Sequence, residues 1–136
     1  MIREEYNFND IADYLYKSTD LLITGIPTCE DRSHFFSDLW KDKGKAILQL
    51  RRENNDKLAY QFLQGNNSVN AGLIDLCVQT SQLLQCFAVE QKNILLDLSS
   101  LDHVLIMFLT KQLIERVIPK SLFAAYIRPR EYRQQS

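Results

Sequence analysis

The chain has 136 residues, of which 46% are hydrophobic and 24% charged, a balance typical of one folded domain and unlike that of a disordered protein. Its formal net charge of −1 excludes a general nucleic-acid or anionic-membrane surface, so any anion site must be local. No apolar run reaches the roughly 18 residues of a membrane span, and the acidic start differs from a signal peptide. Three cysteines without a CxxC spacing predict neither a disulfide framework nor a zinc site, and we expect a reducing, cytoplasmic compartment.

The first third of the chain predicts two pairs of helix and strand. Apolar residues at helical spacing indicate a helix over residues 7–18. The apolar run at 21–26 is hydrophobic on both faces, as in a strand that lies between helices. A second amphipathic helix is expected over 31–43, where Gly44 ends it, and a second strand over 45–51.

The middle of the chain gives less distinct patterns. Residues 51–57 are polar and predict a loop, whereas residues 58–63 fit either a strand or a short helix. Residues 64–67 predict a turn. Apolar residues that recur at helical spacing then predict a long helix from about residue 69 to residue 90, with Ser68 as its N-cap.

The last third predicts a strand over 93–98, a helix over 101–117 that ends before Pro119, and a strand over 122–127. The alternation of helices and strands predicts an α/β fold over residues 1–136. We expect a single, small, doubly wound (Rossmann-like) three-layer domain with a mostly parallel sheet of about four to five strands. The simplest order of the four clear strands is 2-1-3-4.

Such sheets bind ligands outside the carboxyl ends of their strands, where the strand order reverses. In the order above, that point lies between the first and third strands. A helix N-terminus and arginines favour an anion such as phosphate, and an aromatic ring favours a stacked base. The polar side chains of three loops converge there and are the candidate ligand-binding residues: Thr28, Glu30, Asp31, Arg32, Ser33, Asp97, Ser99, Ser100, Arg128, Arg130 and Tyr132.

Simpler roles are open to several of these residues. Thr28 or Asp31 can cap the second helix, and Ser99 or Ser100 can be the N-cap of the helix that follows. Asp97 lies among apolar residues, so its carboxyl group must be paired, must cap a loop or must point out of the strand end. The C-terminal arginines can be a solvated tail.

Catalysis is a weaker interpretation of the same region. Cys29, His103 and Asp97 form a conceivable nucleophile, base and acid, and Glu30, Asp31 and Asp97 are conceivable Mg²⁺ ligands. The first loop matches neither the P-loop nor the GxGxxG pattern. We therefore expect no cofactor and no resident metal, and we lean towards a protein that is not an enzyme.

These observations predict a small regulatory or sensor module that binds a nucleotide, an oligonucleotide or another phosphorylated ligand. The alternative is a protein-interaction subunit, such as an adaptor or inhibitor, and a third hypothesis is a small metal- or cysteine-dependent hydrolase or nuclease. The apolar strand 122–127 would be exposed at a sheet edge unless the 58–63 segment or a partner covers it. Together with the broad apolar face of 101–118, this predicts a homodimer or a heteromeric protein partner.

Overall fold

The computed structural model describes residues 8–26 and 35–127, with side chains from residue 11 onward. Within these residues, four α-helices and six β-strands follow one another, and a short 3-10 turn, Val89–Gln91, precedes the fifth strand. In chain order the helices and strands are α1 (Phe8–Ser18), β1 (Leu21–Gly25), α2 (Phe35–Asp42), β2 (Ala46–Arg52), β3 (Lys57–Gln64), β4 (Asn67–Asp75), α3 (Leu76–Cys86), β5 (Asn93–Asp97), α4 (His103–Glu115) and β6 (Ser121–Ala125).

The six strands form one mixed sheet in the order β4-β3-β2-β1-β5-β6. Strands β2, β1, β5 and β6 run parallel to one another, and β3 and β4 are antiparallel to their neighbours. The predicted α/β class and the predicted order of the four parallel strands are therefore confirmed. The sheet is larger than predicted, however, and is partly antiparallel.

The additional strands, β3 and β4, form a hairpin. The sequence fits either a strand or a short helix at 58–63 and predicts the start of a helix at 69. Gly65 begins the connecting turn with a φ of 63°, a conformation that glycine adopts without strain. The helix prediction for 69–75 is wrong because residues 70–75 pair with residues 57–62 of β3. The helix begins at Leu76, and its N-cap is Asp75 instead of Ser68.

Side chains of the parallel strands enter two buried clusters alternately. Leu21 and Ile23 of β1 belong to a cluster that also contains residues of α3 and α4. Leu22, between them, belongs to a second cluster with Leu15 of α1 and Trp40 of α2. All residues of β1 are buried, which confirms the prediction that this run is covered on both faces.

The edges of the sheet are β4 and β6. The idea that the 58–63 segment covers the final strand is wrong, because that segment is in β3, and β2, β1 and β5 separate β3 from β6. Among the helices of the described residues, none combines the length and hydrophobicity that crossing a lipid bilayer requires.

Candidate functional site

The carboxyl ends of the parallel strands lie at one end of the sheet, and β1 and β5 are neighbours there. Strand order reverses between them, because the chain passes from β1 to β2 on one side and returns to β5 on the other. Thr24 and Gly25 end β1, and Asp97 ends β5. This is the place at which ligands bind in open α/β sheets, and it is where the sequence predicts the site.

A hydrogen-bond network joins the two strand ends. The Thr24 hydroxyl donates to Asp97 Oδ2 at 2.9 Å and lies 2.7 Å from the Ser100 hydroxyl. The Ser100 hydroxyl lies 3.1 Å from the same carboxyl oxygen, and the Ser99 backbone N–H donates to Asp97 Oδ1 at 3.0 Å. Three of the predicted ligand-binding residues, Asp97, Ser99 and Ser100, are therefore brought together, and they bind one another.

Asp97 is fully buried within this network. Burial raises the pKa of its carboxyl group, and the hydrogen bonds from Thr24, Ser99 and Ser100 oppose that rise only in part. The number of hydroxyl protons in the network agrees with a raised pKa. Thr24 Oγ1, Ser100 Oγ and Asp97 Oδ2 lie 2.7–3.1 Å apart in pairs, and the two hydroxyls supply only two protons for three contacts. Protonation of Asp97, which the raised pKa favours, would supply the third.

The two serines also connect the ends of three strands. The Gly25 backbone N–H donates to Ser100 Oγ at 2.8 Å, and the Ile127 backbone N–H donates to Ser99 Oγ at 2.6 Å. We name Ser99 and Ser100, which follow β5, the serine turn. The serine turn thus holds the segments that leave β1 and β6. Neither serine is the N-cap of α4, because that role belongs to Asp102, whose carboxylate accepts the Leu105 N–H at 2.8 Å.

Gly25 lies too close to this turn for any side chain. A Cβ atom at residue 25 would lie 2.1 Å from the carbonyl oxygen of Ser100. A glycine that ends a strand permits either a close backbone approach or a positive φ. The observed reason is the close approach, which lets the Gly25 N–H reach the Ser100 hydroxyl.

A row of polar side chains crosses the sheet at the level of Thr24 and Asp97. Gln49 of β2 is in register with Thr24 of β1 and with Gln61 of β3, and Asp97 continues the row beyond Thr24. Gln49 is only 2% exposed, and its Nε2 has no hydrogen-bond partner within the described part of the chain. Gln49 and Thr24 are not predicted as site residues from the sequence, because the row depends on strand register.

The unpartnered Gln49 amide faces the side of the sheet that α2 covers. Ile47, two residues earlier in β2, packs in the same cluster as Trp40 of α2. Within the described residues, the other buried polar side-chain atoms without a partner are Ser37 Oγ and Trp40 Nε1, and both belong to α2. Unsatisfied polar atoms are thus concentrated between α2 and β2.

A cleft of about 160 Å³ opens beside the serine turn, and its walls include Leu50, Arg52, Ser100 and Asp102. Arg52 Nε donates to Asp102 Oδ2 at 3.2 Å, which connects the end of β2 to the N-terminus of α4. The prediction of a loop over 51–57 is wrong at its start, because β2 extends to Arg52. The position of Arg52 directly after the predicted strand was the available signal.

Nine of the candidate residues lie outside the described residues, so their roles stay predictions: Thr28, Cys29, Glu30, Asp31, Arg32, Ser33, Arg128, Arg130 and Tyr132. The described members of the Cys29, His103 and Asp97 set are not joined. His103 is an exposed residue at the start of α4, whereas the oxygens of buried Asp97 are bound by Thr24, Ser99 and Ser100.

Across residues 8–26 and 35–127, no group of three or more His, Cys, Asp or Glu side chains is arranged to hold a metal ion. Comparisons with protein-family models, with curated proteins and with solved structures gave no significant match to the chain. The function therefore has to be inferred from the geometry of the site.

Proposed function

We propose that the protein is a small regulatory or sensor module that binds a nucleotide, an oligonucleotide or another phosphorylated ligand. The binding site is at the carboxyl ends of β1, β2 and β5. The reversal of strand order between β1 and β5 supports this location. In the proposed arrangement, the strands β2, β1, β5 and β6 and their helices form a doubly wound, three-layer unit.

The unpartnered amide of Gln49 is the observation that carries the proposal. More than about 90% of buried polar groups in folded proteins are hydrogen-bonded, and a buried donor without a partner costs about 1–3 kcal/mol. Gln49 is buried in β2, in register with Thr24 near the carboxyl end of β1, and its Nε2 has no partner among residues 8–26 and 35–127. A carbonyl or hydroxyl oxygen of a bound ligand would satisfy it.

Arg52 supplies a local positive charge at the carboxyl end of β2, on the face of the sheet opposite to Gln49, so a ligand that contacts both residues must extend over the strand ends. The chain has a net charge of −1, so an anionic ligand gains nothing from the protein as a whole. The Arg52 guanidinium lies in the wall of the cleft beside Ser100, and its visible partners are Asp102 and Asn55. A phosphate group offers a guanidinium charge-assisted, bidentate hydrogen bonds.

Replacing Gln49 by methionine should abolish ligand binding and leave the unliganded protein as stable as before, or more stable. Methionine has a similar shape and removes a buried donor that has no partner, a change that is neutral or favourable when both members of a pair are absent. The measurement is the melting temperature of each protein with and without a panel of mononucleotides, dinucleotides, cyclic nucleotides and short oligonucleotides.

The matched control is Gln61→Met, which changes the half-buried glutamine next to Gln49 in the same polar row. We expect this variant to keep the ligand-induced shift. A wild-type protein that no member of the panel stabilises would contradict the proposed function. A shift that survives in Gln49→Met would instead contradict the role of Gln49.

Replacing Arg52 by glutamine should weaken binding of a phosphorylated ligand by about tenfold, the effect of losing one charge-assisted contact. Binding of the corresponding nucleoside, measured by calorimetry, should change little. Arg116→Gln is the control, because exposed Arg116 follows the C-terminal end of α4, whereas the cleft lies at the N-terminal end of that helix. Equal losses for nucleotide and nucleoside would show that Arg52 does not recognise phosphate.

A further inference from the structure

Ser37 of α2 is a second buried polar residue whose side chain has no partner. It is completely buried, and its hydroxyl makes no hydrogen bond within residues 8–26 and 35–127. Phe36 and Trp40, the other buried residues of α2, belong to the cluster that packs on the sheet. Ser37 therefore faces the layer between α2 and the strands, as Gln49 does from the opposite side of that layer.

The course of the chain places Ser37 beside Gln49. Helix α2 leaves the carboxyl end of β1 and returns to the amino end of β2, so it runs antiparallel to both strands. Trp40 and Ile47 pack in one cluster near the amino end of β2, where the Lys45 N–H donates to the Trp40 carbonyl oxygen at 3.0 Å. Three residues back along a helix cover about 4.5 Å, and two residues forward along a strand cover about 6.6 Å. Ser37 and Gln49 therefore differ by only about 2 Å in position along the strand direction.

The two side chains present hydrogen-bond donors to the same space. Gln49 Nε2 carries two N–H groups, and the Ser37 hydroxyl carries one O–H group. The next polar groups along the row, Thr24 and Asp97, are bound to each other and to Ser100. A single carbonyl oxygen has two lone pairs, so it can accept one hydrogen bond from Ser37 and one from Gln49.

The surroundings of these two residues favour an uncharged group over an anion. None of the buried polar side chains in the described part of the chain is a lysine or an arginine, so no positive charge there would compensate a buried anion. Arg52, the cation of the candidate site, lies on the opposite face of the sheet. Arg52 and the pair of Ser37 and Gln49 therefore contact different parts of one ligand.

We infer that Ser37 and Gln49 together bind a carbonyl oxygen in the uncharged part of the ligand, and that in a nucleotide this oxygen belongs to the base. The inference rests on the proposed function and narrows the ligand. Guanine, hypoxanthine and the pyrimidine bases carry a carbonyl group, whereas adenine carries an amino group in its place. That amino group would set a donor against two donors and leave Ser37 and Gln49 unsatisfied.

The inosine and adenosine forms of one ligand test the inference, because a carbonyl group of inosine replaces the amino group of adenosine. Calorimetry measures the dissociation constants of both forms of the mononucleotide, the cyclic mononucleotide and a short oligonucleotide. We expect the wild type to bind an inosine form at least about tenfold more tightly than its adenosine form. Ser37→Ala should lower this preference at least about threefold, the effect of losing one hydrogen bond. Arg52→Gln should weaken both forms equally and keep the preference.

The stability of the free protein separates binding from a structural role of Ser37. Ser37→Ala removes a hydroxyl that has no partner, so the melting temperature without ligand should change by less than about 2 °C. The matched control is Ser81→Ala on the other face of the sheet, where the Ser81 hydroxyl donates to Gln112 Oε1. This variant should melt at a lower temperature and keep the preference for inosine.

The outcomes distinguish this inference from the proposed function. Equal affinity for the two forms would overturn the inference alone, as would a preference that is unchanged in Ser37→Ala. If other nucleotides bind and no inosine form does, the inference is also overturned, and the proposed function stands. A wild-type protein that binds no nucleotide at all contradicts both.

Discussion

Replacing Gly25 by alanine is expected to lower the free energy of unfolding by about 3 kcal/mol, a large effect for a single methyl group. The new Cβ would lie 2.1 Å from the carbonyl oxygen of Ser100 and 2.8 Å from its carbonyl carbon. Both atoms belong to the backbone, so no side-chain rotation relieves the clash. The serine turn would have to move, and the hydrogen bond from the Gly25 N–H to Ser100 would be lost.

The control for this substitution is Gly72→Ala in the edge strand β4. Its Cβ would also meet a close atom, but that atom is Cε1 of the Tyr60 ring at 2.9 Å, at the far end of a side chain that can shift. Urea denaturation of both variants separates the two situations. We expect Gly72→Ala to cost less than about 1 kcal/mol. Equal losses at the two glycines would contradict the account of the serine turn.

The local pattern of apolar residues was sufficient to predict the strands and helices of the parallel part of the fold. Residues 21–26 are apolar on both faces, and the segments on either side have helical spacing, so strand and helix could be assigned without knowledge of tertiary contacts. The order of the parallel strands is the simplest doubly wound arrangement of four strands that alternate with helices. That order then placed the candidate site between β1 and β5.

The hairpin could not be predicted in the same way, because its sequence fits both the helical and the strand spacing of apolar residues. Leu73, Leu76 and Leu83 share a helical face, whereas Val69, Ala71 and Leu73 alternate as in a strand. Pairing with β3 decides in favour of the strand up to Asp75. The carboxylate of Asp75, which accepts the N–H groups of the residues two and three positions later, was the local signal for the true helix start.

The sequence predicted that polar residues at the ends of β1 and β5 lie together, but it did not predict their hydrogen bonds. Ser99 and Ser100 were correctly placed beside Asp97, but their hydroxyls hold neighbouring strands and cap no helix. Gln49 was missed because its importance depends on the register that aligns it with Thr24 and on burial that leaves its amide unpartnered. Register and burial are tertiary properties, which the pattern of one segment does not contain.

Replacing Asp97 by asparagine is expected to make stability less dependent on pH. Burial raises the pKa of Asp97 in the folded protein, so the folded chain holds this proton more tightly than the unfolded chain does. The stability gained from the proton is fully present below about pH 4, the ordinary pKa of aspartate, and is lost as the pH rises through the raised pKa. Asparagine resembles the protonated acid and has no proton to lose.

Urea denaturation at a series of pH values measures this effect as the difference in unfolding free energy between Asp97→Asn and the wild type. Other ionisable groups contribute almost equally to both proteins and cancel. The difference should increase in favour of Asp97→Asn as the pH rises above about 4, and it should become constant above the raised pKa. A difference that is independent of pH, or that falls as pH rises, would contradict a raised pKa.

Asp97→Ala separates the role of the hydrogen bonds from that of the charge. Alanine leaves the Thr24 hydroxyl, the Ser99 N–H and the Ser100 hydroxyl without the carboxyl group that they contact. Since each unsatisfied buried group costs about 1–3 kcal/mol, we expect Asp97→Ala to be less stable than Asp97→Asn by on the order of 3 kcal/mol at every pH. If Asp97→Asn and Asp97→Ala were equally unstable near neutral pH, the ionised carboxylate itself would hold the strand ends together, and the protonated network would be wrong.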